Sequence, residues 1–284
     1  MKQALNTIKL LRFPFSIFLL PVSLFAFFYI HPKLDFDLFL VLFIWHVLVF
    51  PASNGYNSYN DRDEGPIGGL AAPPKPTKTL LNLCNVMDGM AIVLSFMINF
   101  NFAFFVAVYI IFSRLYSWRL VRLKKFPVIG FLVVFVFQGA WIFCADILAL
   151  SSYQLLCYPR VIFSAIAASF FIGTIYPITQ IYQHEADRKD GVQTLSMLLG
   201  LRGTFIFSAI SFSLATLLVY LSFADTLNVF FMFNLVMLPA TLFFLIWALR
   251  SFKNSTHVNF KNAMIMLVLS SFLNNLFFII LLLK

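Results

Sequence analysis

The stretch Pro51-Ala-Ser-Asn54-Gly-Tyr56-Asn57-Ser58-Tyr59-Asn60-Asp61-Arg62-Asp63-Glu64-Gly65 has a counterpart 126 residues further on, Pro177-Ile-Thr-Gln180-Ile-Tyr182-Gln183-His184-Glu185-Ala-Asp187-Arg188-Lys189-Asp190-Gly191. In register, Pro, Tyr, Asp, Arg and Gly coincide. Asn pairs with Gln twice, and Glu64 pairs with Asp190. A repeat at this spacing means two related halves, and it governs every later reading of the chain. Each copy closes an apolar run and aims carboxylates and carboxamides away from its end.

The surroundings are apolar. Hydrophobic residues make up 61% of the 284 residues and charged residues 11%, against about 25% charged in a soluble domain. No polar stretch is long enough to enclose a soluble core. Apolar runs of helix-spanning length lie at 11–30, 37–53, 80–98, 101–117, 127–146, 161–182, 203–222, 227–249 and 263–283. The third is the weakest, because Asn82, Asn85 and Asp88 lie in its first half. The first has basic residues ahead of it but no small-residue cleavage site behind it, so it reads as an uncleaved span. The fold expected is all-α, a polytopic bundle of nine transmembrane helices.

Charge tests the count. Of the 20 Lys and Arg, all but Lys33, Arg160 and Lys284 fall on one side if nine helices alternate. One missed or invented span would scramble that asymmetry. The N-terminus and both polar copies are therefore expected on the cytoplasmic side, in a bacterial inner membrane, with the C-terminus outside. Four spans separate the copies, so the repeat is parallel. The net charge of +9 is read as this loop bias rather than as a nucleic-acid surface. Cys84, Cys144 and Cys157 have neither disulfide nor zinc spacing.

Asn57, Asp61 and Glu64 are spaced i, i+4, i+7, and so are Gln183, Asp187 and Asp190. Each trio shares a face if its stretch continues the preceding helix. Six of the eleven acids fall in these two windows. Two carboxylates about 5 Å apart repel by roughly 3 kcal/mol at an effective dielectric near 20. Something positive is needed to hold them together. Oxygen donors without cysteine suit Mg²⁺, which shares its shell with water and phosphate. Cations accompany the acids: Arg62 and Arg188 beside the central Asp pair, Lys75 and Lys78 in the first loop, and Arg119, Arg122, Lys124 and Lys125 after the fourth span. Loop bias explains most of them, and a few are candidates to grip a phosphate or diphosphate. Asp88 is read as facing the interior, as a lining or a paired group. His46 is read as a hydrogen bond between helices, and His184 as structural.

These residues resemble the UbiA superfamily of intramembrane prenyltransferases, whose first motif is Asn-Asp-x-x-Asp-x-x-x-Asp. Here it stands as Asn57-Ser58-Tyr59-Asn60-Asp61-Arg62-Asp63-Glu64-Gly65. The second motif has two Asp four apart followed by Gly, and here reads Gln183 to Asp187, then Gly191 and Thr194-Leu195. Tyr116-Ser117 and the segment Arg119 to Pro127 resemble the family's basic segment. The resemblance covers the chain as one domain, 1–284. It implies a Mg²⁺ cofactor held by Asn57, Asp61, Glu64, Gln183, Asp187 and Asp190, with Asp61 and Asp187 catalytic. It further implies a polyprenyl diphosphate bound by Arg62, Lys75, Tyr116, Arg119, Lys124, Lys125, Tyr182 and Arg188. The prenyl group would pass to a lipophilic acceptor in membrane lipid, aromatic acceptors included, with Tyr56, Tyr116 and Tyr182 facing the developing cation. Ser58, Gly65 and Gln183 depart from the motifs, and Glu64, Asp190, Asp63 and Glu185 are the nearest substitutes. Two other readings share these residues: a terpene cyclase on the same fold, and a transporter or binding protein for an anionic lipid or metabolite. Oligomeric state is left open.

Overall fold

The structure, a computed structural model, describes residues 2–284. Among these residues nine helices are long and apolar enough to cross a membrane: Gln3–Ile30, Phe36–Asp61, Lys78–Ile98, Phe100–Ser117, Pro127–Leu150, Pro159–Gln180, Leu195–Ser222, Leu227–Lys253 and Phe260–Leu282. No strand forms among them; the nearest approach is one isolated bridge between Ile67 and Leu70. The protein is an all-helical, polytopic membrane protein.

Two spans start earlier than hydropathy alone places them. The first begins before residue 11 because Lys2–Leu11 is amphipathic rather than apolar. It breaks at Arg12, which is left-handed (φ 50°), and resumes as a 3₁₀ turn, Phe13–Leu19. The seventh begins at Thr194, whose Oγ1 accepts from Met197 N at 3.3 Å and caps the helix. A kink at Gly200 (φ 67°) then separates its first turn from the apolar remainder. Thr204 bridges the kink by donating to Gly200 O at 2.8 Å.

The second and fifth spans each contain a π turn, Ile44–Val49 and Val136–Ala140. The first lies just ahead of Pro51, which has no N–H to donate to the helix. In the second, Gly139 lies against the sixth span: a Cβ there would sit 2.3 Å from Ser169 Cα. Ser169 Oγ accepts from Ala140 N at 2.9 Å across this contact. The sixth span is lined with small residues, Ala165, Ala167, Ala168, Ser169 and Gly173, all buried. Small residues permit such close approach where lipid supplies no hydrophobic drive between helices.

Several polar groups inside the bundle are paired across spans. Trp45 Nε1 donates to the fully buried Asp146 at 2.9 Å. His46 Nδ1 lies 3.0 Å from Ser16 O, as a hydrogen bond between helices. Asn99 makes the tight turn between the third and fourth spans: its Oδ1 accepts from Phe102 N at 2.9 Å and its Nδ2 donates to Leu148 O at 2.9 Å. Asp88 pairs with Arg114, whose Nε donates to it at 2.8 Å, and this carboxylate lines neither of the two cavities described below. A charged pair relieves the cost of an acid within a span. The guanidinium of Arg114 in turn stacks on Tyr56, 3.9 Å from the ring centroid, and that ring lines neither cavity. The core is aromatic, with Phe25 stacked on Phe278 at 4.5 Å and edge-on to Phe143 at 5.5 Å.

Candidate active site

Both polar copies lie at the same end of the bundle. In the first, the helix runs through Asp61 and stops at Arg62, which is left-handed (φ 55°). In the second, the sixth span stops at Gln180, a turn follows, and the short helix His184–Lys189 carries Asp187. Neither copy is one unbroken helix, so the expected i, i+4, i+7 faces do not form. Asn57 and Asp61 share the helix, but Glu64 lies beyond its end and is exposed. Gln183 precedes the short helix and Asp190 caps its end.

The two copies nonetheless converge. Asn57, Asp61, Asp63, Gln183 and Asp187 line one cavity of about 230 Å³. Tyr116, Lys124 and Tyr182 line it too. Gln183 Nε2 donates to Pro66 O at 3.1 Å and ties one copy to the other. Ser117 Oγ donates to Asn57 Oδ1 at 2.7 Å and fixes that amide. Tyr116 and Tyr176 join hydroxyls across the fourth and sixth spans. Arg62, Lys75, Lys125 and Arg188 are exposed and line neither cavity.

The segment after the fourth span straps the two copies together. Arg122, left-handed (φ 48°) and buried, lies 3.5 Å from Asp61 Oδ1 and is ion-paired with Asp190. Lys124 is ion-paired with Asp61. Arg119 donates to Asn60 O at 2.6 Å and lies 3.5 Å from Asp190. Asp190 therefore faces the strap rather than the cavity.

Arg12 is the site residue that sequence reading passed over. It is buried, lines the cavity, and donates to Gly68 O at 3.1 Å and Asn54 O at 3.2 Å. Its only sequence signal was a cation at the head of an apolar run.

Burial pushes the Asp187 carboxyl up to about 7; Lys124 opposes the rise, and Asp61, Asp63 and Asp190 add to it. Burial and the adjacent Asp61 likewise push Asp63 above its ordinary value. Burial and Arg188 hold His184 below its ordinary value. Its Nε2 lies 2.8 Å from Ser196 Oγ, which continues to Thr204 at 3.0 Å, so this histidine braces the seventh span.

Among the described residues no three His, Cys, Asp or Glu side chains converge as a ready-made metal cage. The donor set is nevertheless compatible with a hard cation that keeps water and shares ligands with an anion. Three carboxylates face one cavity, and Gln180 Oε1, also lining it, is buried with no partner among the described residues.

A second cavity of about 320 Å³ adjoins the first. Its lining is largely apolar, with Phe18, Phe25, Phe171, Phe212 and Phe244 among the rings. Ser53, Asn54, Tyr109, Gln138, Tyr176 and Thr179 line both, so the polar cavity and the apolar chamber share a wall.

A polytopic bundle with a charged cavity beside an apolar chamber defines an integral membrane protein with a two-character interior. The chain belongs to the UbiA prenyltransferase family, whose model matches residues 18–282. Solved structures share the fold. A UbiA homolog from Archaeoglobus fulgidus bound to Cd²⁺ is 18% identical, with 98% of each chain covered and a TM-score of 0.68. A UbiA homolog from the same organism bound to GPP and Mg²⁺ is 17% identical, with 96% of this chain and 99% of that chain covered and a TM-score of 0.65. A structure of digeranylgeranylglyceryl phosphate synthase is 17% identical, with 100% of this chain and 98% of that chain covered and a TM-score of 0.64. Identities this low establish likeness of fold. A search of curated proteins finds no match.

Proposed function

We propose that this protein transfers a prenyl group from a polyprenyl diphosphate to a lipophilic acceptor within the membrane, with Mg²⁺ as cofactor. The observation that carries the reading is the adjacency of the carboxylate- and cation-lined cavity to the apolar chamber, through lining residues that the two share. A prenyl diphosphate has that same division, a charged head on a hydrocarbon tail. Relatives of the same fold have been solved with DMAPP or GPP and Mg²⁺.

Asn57, Asp61 and Asp187 are the proposed metal ligands, with Asp63, Gln180 and Gln183 within the same lining. When bound, Mg²⁺ would supply positive charge to the leaving diphosphate. Arg12 and Lys124 would bind the diphosphate oxygens, Lys124 exchanging Asp61 for the substrate. Arg122 and Arg119 would hold the two copies in register from outside the cavity, and Glu64 and Asp190 would act only from the rim. Ser117 would keep the Asn57 amide turned, so that its orientation does not depend on the ligand. The paired Tyr116 and Tyr176 would stand where head meets tail and present ring faces to positive charge at the allylic carbon. The chamber would exclude water from that carbon and so disfavour hydrolysis. The loop charge bias supports a cytoplasmic placement of the charged mouth.

The test is diphosphate release by the purified protein in lipid nanodiscs, offered farnesyl, geranylgeranyl and longer diphosphates. Release that needs both Mg²⁺ and a host lipid extract, with a new prenylated lipid, is the expected result. Release without extract would make the protein a cyclase or hydrolase. Tight binding without release would make it a binding or transport protein.

A further inference from the structure

The chamber meets the outside of the bundle at one seam. Of the residues that line it, only Ser213 on the seventh span and Leu245 on the eighth are exposed. Ser213 lies seven residues before Tyr220, which packs on Phe230 of the eighth span at 5.3 Å. Leu245 lies seven residues before Phe252, which packs on Phe205 of the seventh span at 5.7 Å. Seven residues is close to two helical turns, so each exposed residue sits on the face that its helix presents to the other. Both lie roughly 12 Å or more from the nearer end of their helices, at 1.5 Å per residue, so they face hydrocarbon rather than water.

This seam is clamped by aromatic rings at both ends. Toward the charged mouth Phe205 packs on Trp247 at 5.0 Å, and at the far end Tyr220 packs on Phe230. Between the clamps the chamber wall carries small side chains, Ala209 and Ser213 on one helix and Ala240 and Thr241 on the other. Ser213 donates to Ala209 O at 3.0 Å and Thr241 to Met237 O at 3.1 Å. Both hydroxyls thus spend their hydrogen bonds within their own helix, and a passing hydrocarbon chain strips neither of a partner. Pro239 lies in the eighth span between the clamps and removes one rung from that helix. The seam between the first and ninth spans is shut. There Ser271 Oγ donates to Ile17 O at 3.4 Å, Asn275 Nδ2 donates to the same oxygen at 3.5 Å, and Phe25 stacks on Phe278 at 4.5 Å.

We infer that the gap between the seventh and eighth spans is a lateral doorway, through which the hydrocarbon chain of a lipophilic substrate passes between the bilayer and the chamber. Ser213 and Leu245 stand at its two edges. A prenyl donor and a lipophilic acceptor both carry such a chain, and both reach the protein from the bilayer. The role given to the chain rests on the proposed transferase reading; the doorway itself does not, and its test keeps the two apart.

The probe is geranylgeraniol with a diazirine on its terminal isoprene unit, added to the purified full chain in lipid nanodiscs and photolysed at successive times. Labelling of Phe25 and Met266, buried residues of the chamber wall, reports arrival in the chamber. Ser213→Trp and Leu245→Trp each place an indole at the edge of the gap, and both sites are exposed, so neither ring is forced into the core. Each variant is expected to slow the labelling about tenfold while it still goes to completion. Leu217→Trp, at an exposed site of the seventh span that lines neither cavity, and Phe18→Trp, in the first span, are expected to label as the wild type does. An unchanged rate in Ser213→Trp or Leu245→Trp, equal slowing by Phe18→Trp, or no labelling of Phe25 and Met266 in the wild type would overturn the doorway. The second arm adds farnesyl diphosphate and Mg²⁺, with binding followed by native mass spectrometry. Displacement of the probe assigns the doorway to the prenyl chain, and labelling beside bound diphosphate assigns it to the acceptor. Farnesyl diphosphate that fails to bind would overturn the transferase reading alone, since the alcohol tests the doorway without it.

Discussion

At Asp187, burial and three neighbouring carboxylates act in the same direction, and they lift its carboxyl to about 7 from an ordinary value of 3.8. Between pH 4 and 7 the folded protein holds a proton that the unfolded chain has already lost. The folded state is therefore favoured at the low end of that window and loses the advantage as pH rises through 7. Without divalent cation, the melting temperature is expected to fall between pH 5 and pH 8. Mg²⁺ should restore it, and Asp187→Asn should flatten the profile; a flat wild-type profile would contradict the cluster. In activity, Asp61→Asn or Asp187→Asn is expected to lower Mg²⁺-dependent diphosphate release by a hundredfold or more while the protein stays folded. Full activity in either variant would remove these residues from the site. Gly65 stands where the resemblance places an Asp, and a Cβ there meets nothing within 4 Å. Gly65→Asp should therefore express and melt as the wild type does, and retain activity. A folded, inactive variant would mean that the mouth is built differently. Single residues also mark where sequence reading stopped. Arg62 was paired with Asp61 by adjacency, but the left-handed backbone at residue 62 ends the helix and turns the side chain out. Arg12 carries no motif signal of its own, because its partners Asn54 and Gly68 are brought to it by tertiary packing.

Among the elements, the breaks in the helices matter as much as the helices. The π turn at Val136–Ala140 lies in the segment that turns Gln138 into both cavities and sets Gly139 against Ser169. Gly139→Ala would force the fifth and sixth spans apart, since the neighbour is backbone rather than a yielding side chain. A loss of about 1–3 kcal/mol is expected, within the usual range for overpacking. It would be read as a melting temperature lower by several degrees, or as failure to express; an unchanged melt would refute the close contact. Hydropathy located all nine spans because composition alone suffices for a helix in lipid. It did not locate the breaks. The helical phase assumed for both copies failed for one reason: the first helix ends at Asp61 and the second at Gln180, before their third and first acidic-trio members respectively. The repeat was legible because it lies in local sequence. Its closure by Arg122 and Lys124 was not, because a strap on a loop depends on where the loop lies.

For the whole molecule, two adjoining cavities differ in character, one charged at an end of the bundle and one apolar within it. The apolar chamber could not be read from the chain, since a Phe-rich span looks the same whether it faces lipid, a core or a cavity. Charged head and hydrocarbon tail should each contribute to binding through their own cavity. The most direct measurement is equilibrium binding of a non-reacting geranylgeranyl thiolodiphosphate to the purified protein, beside inorganic diphosphate and geranylgeraniol. The expected result is tight, Mg²⁺-dependent binding of the thiolodiphosphate, at least a hundredfold weaker binding of either half alone, and loss of the Mg²⁺ dependence in Asp61→Asn. Binding that ignores Mg²⁺, or that survives unchanged in Asp61→Asn, would contradict the account.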